Sequence, residues 1–136
     1  MLRSNIDIIL SLIALSILAD DQVHPVEIDV FTVVSQYLPT ISQAARPMSD
    51  IQLRAWYINN KINLFRLKNS SEFNVWLSQS ADKIQNIEDQ YAILLAMDRI
   101  SKSDTVFHIE EKNLISFLAS YWNLDLALGK SAKNAI

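Results

Sequence analysis

Two short stretches hold the residue types that could do chemistry. In Asp20-Asp21-Gln22-Val23-His24-Pro25-Val26-Glu27 an aspartate is followed four residues on by a histidine and three further by a glutamate. The same order returns in Asp104-Thr105-Val106-Phe107-His108-Ile109-Glu110-Glu111. Asp20, His24, Glu27, Asp104, His108 and Glu111 are all hard or borderline metal ligands. Two carboxylates with an imidazole suit Zn, Mn or Fe, whereas carboxylates with carbonyls and water suit Ca or Mg. If the two stretches meet, four carboxylates share one region, and their repulsion favours recruiting a divalent cation. The spacing also has a purely structural explanation. A glutamate three residues into a helix reaches back to the backbone amide of the capping residue, and an aspartate in a tight turn accepts nearby amides. Spacing alone favours capping over metal, although a carboxylate has lone pairs for both. A histidine beside a carboxylate is also a candidate general base, so a metal-dependent hydrolase built on the same residues is an alternative. No nucleophile, phosphate cradle or oxyanion hole accompanies it.

The elements that must position these residues repeat as well. Downstream of the first stretch, Val30, Phe31, Val33, Val34 and Tyr37 fall opposite Leu114, Ile115, Phe117, Leu118 and Tyr121 of the second. Each stretch therefore reads as the turn of a helix-loop-helix, and the chain holds two copies. Copies of this kind usually pack about a pseudo-twofold axis, because the same apolar faces can then bury each other. The first helix spans about Ser4 to Ala19 and is apolar on nearly every side, as a helix packed all round must be. Pro25 suits the first turn of the second helix. That helix carries Ile28, Val30, Phe31, Val34, Tyr37 and Leu38 and stops before Pro39.

Between the copies the pattern is less regular. A short helix is expected around Ile41 to Ala45, and a longer one from Ser49, which can cap its free amides. Ile51, Leu53, Trp56, Ile58, Ile62, Phe65 and Leu67 supply the apolar positions of the long helix. Arg54, Lys61, Arg66 and Lys68 make it the basic part of the molecule. These four form a candidate surface for an anionic or protein partner; a solvated helix face balancing an acidic domain explains them more simply. Ser70 and Ser71 can cap the next helix, with Phe73, Trp76, Leu77 and Ala81 as core, and Asn86 can cap the helix after it. The second copy follows, its first helix holding Tyr91, Ile93, Leu94, Leu95, Met97 and Ile100 and its second running from Ile109 to Trp122.

With 136 residues, half of them apolar, the chain is long enough for one domain with a substantial core. A single glycine and three prolines disfavour hairpins and phosphate-binding glycine loops. The expected class is all-α: one compact bundle of about six to seven helices over residues 1–124, with 125–136 as a C-terminal tail. There is no cysteine, which excludes disulfides and thiolate chemistry. A formal charge of −3 gives no bulk attraction to nucleic acid. The apolar run from Ile8 to Ala19 falls short of the roughly 20 residues a membrane-spanning helix needs. A signal peptide is the nearer rival for that run, but Asp7 interrupts its basic flank and Ile17 is a poor residue before a cleavage site.

The first stretch resembles a known motif. Ala19-Asp20-Asp21-Gln22-Val23-His24-Pro25-Val26-Glu27 is similar to the turn of TerB-like domains, all-α modules of bacterial tellurite-resistance proteins that are also attached to a DnaJ-like membrane co-chaperone. In those domains an apolar helix leads into Ala-Asp-Gly, a β-branched or leucine residue, often His-Pro or Ser-Pro, and one or two glutamates. Leu94-Leu95-Ala96-Met97-Asp98-Arg99-Ile100, through Ser103-Asp104 to Glu110-Glu111, resembles the second half of the domain. Asp21 and Thr105 stand where the family usually has glycine, the residue that most easily takes positive φ. The resemblance implies a non-enzymatic module with an acidic surface from Asp20, Glu27, Asp104 and Glu111 that binds a divalent cation, a protein partner, or both. It further implies work in a bacterial stress complex, in the cytoplasm or peripheral to the inner membrane.

Overall fold

The computed structural model describes residues 5–18, 25–103 and 109–124. Seven helices make up these residues: α1 (Asn5–Leu18), α2 (Pro25–Gln36), α3 (Pro39–Ser42), α4 (Asp50–Lys68), α5 (Phe73–Lys83), α6 (Ile87–Ser103) and α7 (Ile109–Tyr121). No strand occurs among them, so the all-α expectation of six to seven helices holds. The tail 125–136 lies outside the described residues.

Every residue of α1 from Ile8 to Leu18 is buried. This helix is the centre of the bundle, packed on α6, α4, α2 and α5. Each fully buried leucine or isoleucine contributes about 1.5–3 kcal/mol, so α1 alone supplies much of the driving force for folding. Ser16, in the same helix, is buried with a hydroxyl that lacks a hydrogen-bond partner.

Burial agrees at three of the five paired positions and differs at two, where Val30 is half-buried against buried Leu114 and Phe31 is buried against half-buried Ile115. Val34 and Leu118 are both buried, Val33 and Phe117 are both exposed, and Tyr37 and Tyr121 are both exposed. The first helices of the two stretches, α1 and α6, pack on each other. The second helices are seated differently. α2 lies extensively on α6, but α7 has no comparable seat on α1 among the described residues. Instead α5 packs on both α1 and α7.

Several helix ends follow from local chemistry. Ser49 caps α4: its hydroxyl accepts from the Gln52 amide while the Gln52 side chain accepts from the Ser49 amide, a reciprocal capping box. Asn86 Oδ1 accepts from the amides of Glu88 (2.8 Å) and Asp89 (3.4 Å) at the start of α6. Two expectations need correction. The short helix begins at Pro39, earlier than Ile41, because proline fits the first turn where its missing amide proton has no partner anyway. Ser70 does not cap α5; its hydroxyl donates to the Leu67 carbonyl and accepts from the Glu72 amide, so it closes the turn after α4.

At the end of α7, Asn123 takes φ 58°. The Leu124 amide donates back to the Ala119 carbonyl (2.8 Å) and the Asn123 amide to Ser120 (3.1 Å), the two bonds of a Schellman motif. Asparagine is the residue other than glycine that best tolerates this conformation. Asn123→Gly is expected to leave the melting temperature unchanged or slightly higher, and Asn123→Val to destabilise by about 1–2 kcal/mol. A β-branched substitution without effect on thermal unfolding would show that this turn does not stop the helix.

Candidate functional site

Of the six candidate ligands, Asp20, His24, Asp104 and His108 lie outside the described residues, as do Asp21 and Thr105. Glu27 and Glu111 are described, and they occupy matching positions. Each is the third residue of its helix, α2 or α7. Each is buried, at 1% and 2% exposure. Both helices pack on α6, so the two carboxylates enter the interior from helices that share one neighbour. Both glutamates are engaged by other groups of the fold. Such a carboxylate, set in the first turn, also meets the positive end of the helix dipole. Among the described residues no group of three His, Asp or Glu is placed to share a metal ion.

Glu27 has a neighbour that the sequence did not announce. Tyr57, on α4, is buried with a hydroxyl that makes no hydrogen bond. Burial, and secondarily the charge of Glu27, push its phenol up to about 12. The unfolded chain ionises its tyrosines near pH 10, so the folded state resists deprotonation there. The associated stability is complete below pH 10 and is lost as the pH rises through 12. Tyr57→Phe is therefore expected to flatten the fall in unfolding free energy between pH 10 and 12, and to be neutral or stabilising at pH 7, where it removes an unpartnered buried hydroxyl. Identical alkaline profiles for the two proteins would contradict this placement.

The four basic candidates on α4 divide by role. Arg54 donates to Asp50 from Nε and to Asp29 from Nη2, both at 2.8 Å. These bonds hold the guanidinium pKa above its ordinary value, and Arg54 followed by Thr32 lowers that of Asp50. Lys68 Nζ donates to the Leu18 carbonyl at 2.6 Å and so ties α4 to the last turn of α1. Lys61 and Arg66 are exposed and border a recess of about 450 Å³. Buried Leu18 and Tyr57 and half-buried Ile28 form its floor, and exposed Ile62 and Phe65 its lip. The wall is almost wholly apolar.

The apolar residues of α4 also divide. Leu53, Tyr57 and Leu64 face the core. Ile51, Ile58, Ile62 and Phe65 are 78%, 60%, 58% and 44% exposed. At 100° per residue these four, with exposed Ala55, cover an arc about 80° wide, centred about 140° from the buried arc. The helix is apolar on two nearly opposite faces. Tyr57 and Leu64 are core positions in addition to those expected from sequence, because the apolar residues of α4 fall in two stripes; the spacing of Leu53, Tyr57, Asn60 and Leu64 is the signal that separates them.

No family model, curated protein or solved structure matches the chain. Its surface chemistry must therefore speak for it. A larger recess, about 550 Å³, lies where α4, α5 and α7 meet and holds Asn69, Asn74, Asn113, Phe73 and Phe117 beside Lys68. Among the described residues its wall offers hydrogen bonds but no carboxylate or imidazole. Among the described residues no helix is long and apolar enough to cross a membrane.

Proposed function

We propose that this chain is a non-enzymatic binding module, a TerB-like helical domain that presents α4 to a protein partner. The observation that carries the reading is the row of exposed apolar side chains on α4 beside the Lys61 and Arg66 charges. Such a row is costly to leave in water and marks interaction surfaces. The resemblance of the Asp20 to Glu27 stretch supports a role in a bacterial stress complex of tellurite-resistance type, in the cytoplasm or peripheral to the inner membrane. The test is affinity purification of the tagged chain from its native host, comparing the wild type with Ile58→Glu. A protein retained by the wild type and lost from the variant supports the module; retention of the same proteins by both removes α4 from the interface.

A second reading, divalent-cation binding by Asp20, His24, Glu27, Asp104, His108 and Glu111, is favoured by the matched burial of Glu27 and Glu111 beside the two stretches. Those carboxylates would supply hard oxygen ligands, and the imidazoles would bias the site toward Mn or Zn over Ca or Mg. Thermal unfolding with each cation, before and after Asp20→Ala combined with Asp104→Ala, tests it. A cation-dependent rise that the double variant loses supports the site, and no rise with any of the four ends it. The same residues in a metal-dependent hydrolase would in addition turn over generic esters or phosphates.

A further inference from the structure

The outward face of α4 has the spacing of a coiled-coil seam. Ile51, Ala55, Ile58, Ile62 and Phe65 follow one another at four, three, four and three residues, the alternation by which one helix meets another knobs-into-holes. The residues flanking this seam have their own regularity. Arg54, Lys61 and Lys68 recur at every seventh position on one side, and Gln52, Asn59 and Arg66 on the other. None of the six is acidic. Arg54 is neutralised by Asp50 and Asp29, so the positive charge falls on the C-terminal half, where Lys61 and Arg66 border the apolar recess.

The charge pattern discriminates among occupants. A second copy would set a flank without acids against another flank without acids in either orientation, which disfavours self-pairing. The stretch 125–136 carries two lysines and one aspartate and offers no complement. An anionic bilayer matches the charge but not the shape, since insertion uses a broad apolar face and this one is a narrow seam. The carboxylates of Asp29 and Asp50, both exposed beside the seam, would also face the lipid headgroups.

We propose that α4 docks an amphipathic helix of a partner protein, one whose apolar residues follow heptad spacing and whose flanking positions are acidic. A large apolar side chain of that helix fills the recess above Tyr57, and its acids pair with Lys61 and Arg66. The proposal rests on the protein-binding reading above and names the class of partner. At 19 residues α4 is about 28 Å long, enough to engage two to three heptads.

Two labelled synthetic helices of three heptads test it by fluorescence anisotropy. Both carry Leu at the seam positions; one carries Glu at every flanking position and the other Lys. The Glu helix is expected to bind at least tenfold more tightly at low salt, with the difference shrinking as salt is added. Ile58→Glu combined with Ile62→Glu should weaken it at least tenfold with no fall in melting temperature, both side chains being exposed. Lys61→Glu combined with Arg66→Glu should reverse the preference between the two helices. Equal binding of both helices overturns the proposal, as does a Glu-helix affinity that survives the isoleucine substitutions. A concentration-dependent dimer in sedimentation, abolished by Ile58→Glu, overturns it in favour of a second copy. Tighter binding to phosphatidylglycerol vesicles than to the Glu helix overturns it in favour of a membrane surface. If a host protein is retained through α4 but the two synthetic helices bind alike, the helix class fails while the protein-binding reading stands.

Discussion

Phe31→Ala is expected to lower the unfolding free energy by about 3–5 kcal/mol, seen as a lower urea midpoint at unchanged slope. Phe31 is fully buried at the junction of α2 and α4. Its ring lies 6.0 Å from that of Trp56 in a stacked arrangement and 5.9 Å from that of Tyr57 in a tilted one. Removing it takes away one large side chain and leaves two aromatic rings facing a void, where the cavity adds to the lost transfer energy. Trp56 also donates from its indole nitrogen to Asp7 of α1 at 2.9 Å, so slack in this cluster reaches the central helix. A loss under about 1 kcal/mol would mean that the site collapses freely and that α4 is not anchored through Phe31.

Glu27→Ala and Glu111→Ala, measured in EDTA-treated protein, are each expected to destabilise by about 2–3 kcal/mol, as the loss of a buried, partnered polar group does. The sign separates two roles. A carboxylate that holds its helix start and its neighbours is missed when removed. A carboxylate kept buried to await a cation is a burden without the metal, and its removal then stabilises. Glu27→Gln should cost less than Glu27→Ala in the first case, because the amide keeps the shape and one acceptor. Chemical denaturation of the four proteins, with and without Mn, reads out both quantities.

What the sequence disclosed, and what it concealed, depended on how local each signal was. The apolar run of α1, interrupted only by Ser11 and Ser16, reads as a helix covered on all sides, and every residue from Ile8 to Leu18 is buried. The Ser49 and Asn86 caps were legible because a cap depends on three or four consecutive residues. The correspondence of the two stretches is read in the same way; burial agrees with it at Val34 and Leu118 and departs from it at Phe31 and Ile115. The different seats of α2, on α6 and α4, and of α7, on α6 and α5, were not legible, since they follow from packing across the fold rather than from any motif. Tyr37 shows the same limit: it continues the apolar spacing of α2 but lies one residue beyond the end of that helix and is exposed. At the candidate site, the sequence marked Glu27 and Glu111 by type and spacing, and the fold adds that both are interior. The burial of Tyr57 is legible in its spacing from Leu53 and Leu64, but its relation to Glu27 is not. The charge of Glu27 acts on Tyr57 across the fold, between residues far apart in the chain.

The two-faced character of α4 has a consequence for how that helix is oriented. A helix with one apolar face is turned the right way by hydrophobicity alone. Here hydrophobicity is nearly indifferent to a half-turn about the helix axis, so polar tethers help to fix the rotational setting. Such tethers among the described residues include Trp56 to Asp7, Lys68 to the Leu18 carbonyl, and Arg54 to Asp29. Each joins α4 to another helix at a different point along its length. These directional bonds add to the core in keeping Leu53, Tyr57 and Leu64 turned inward and the isoleucines turned out.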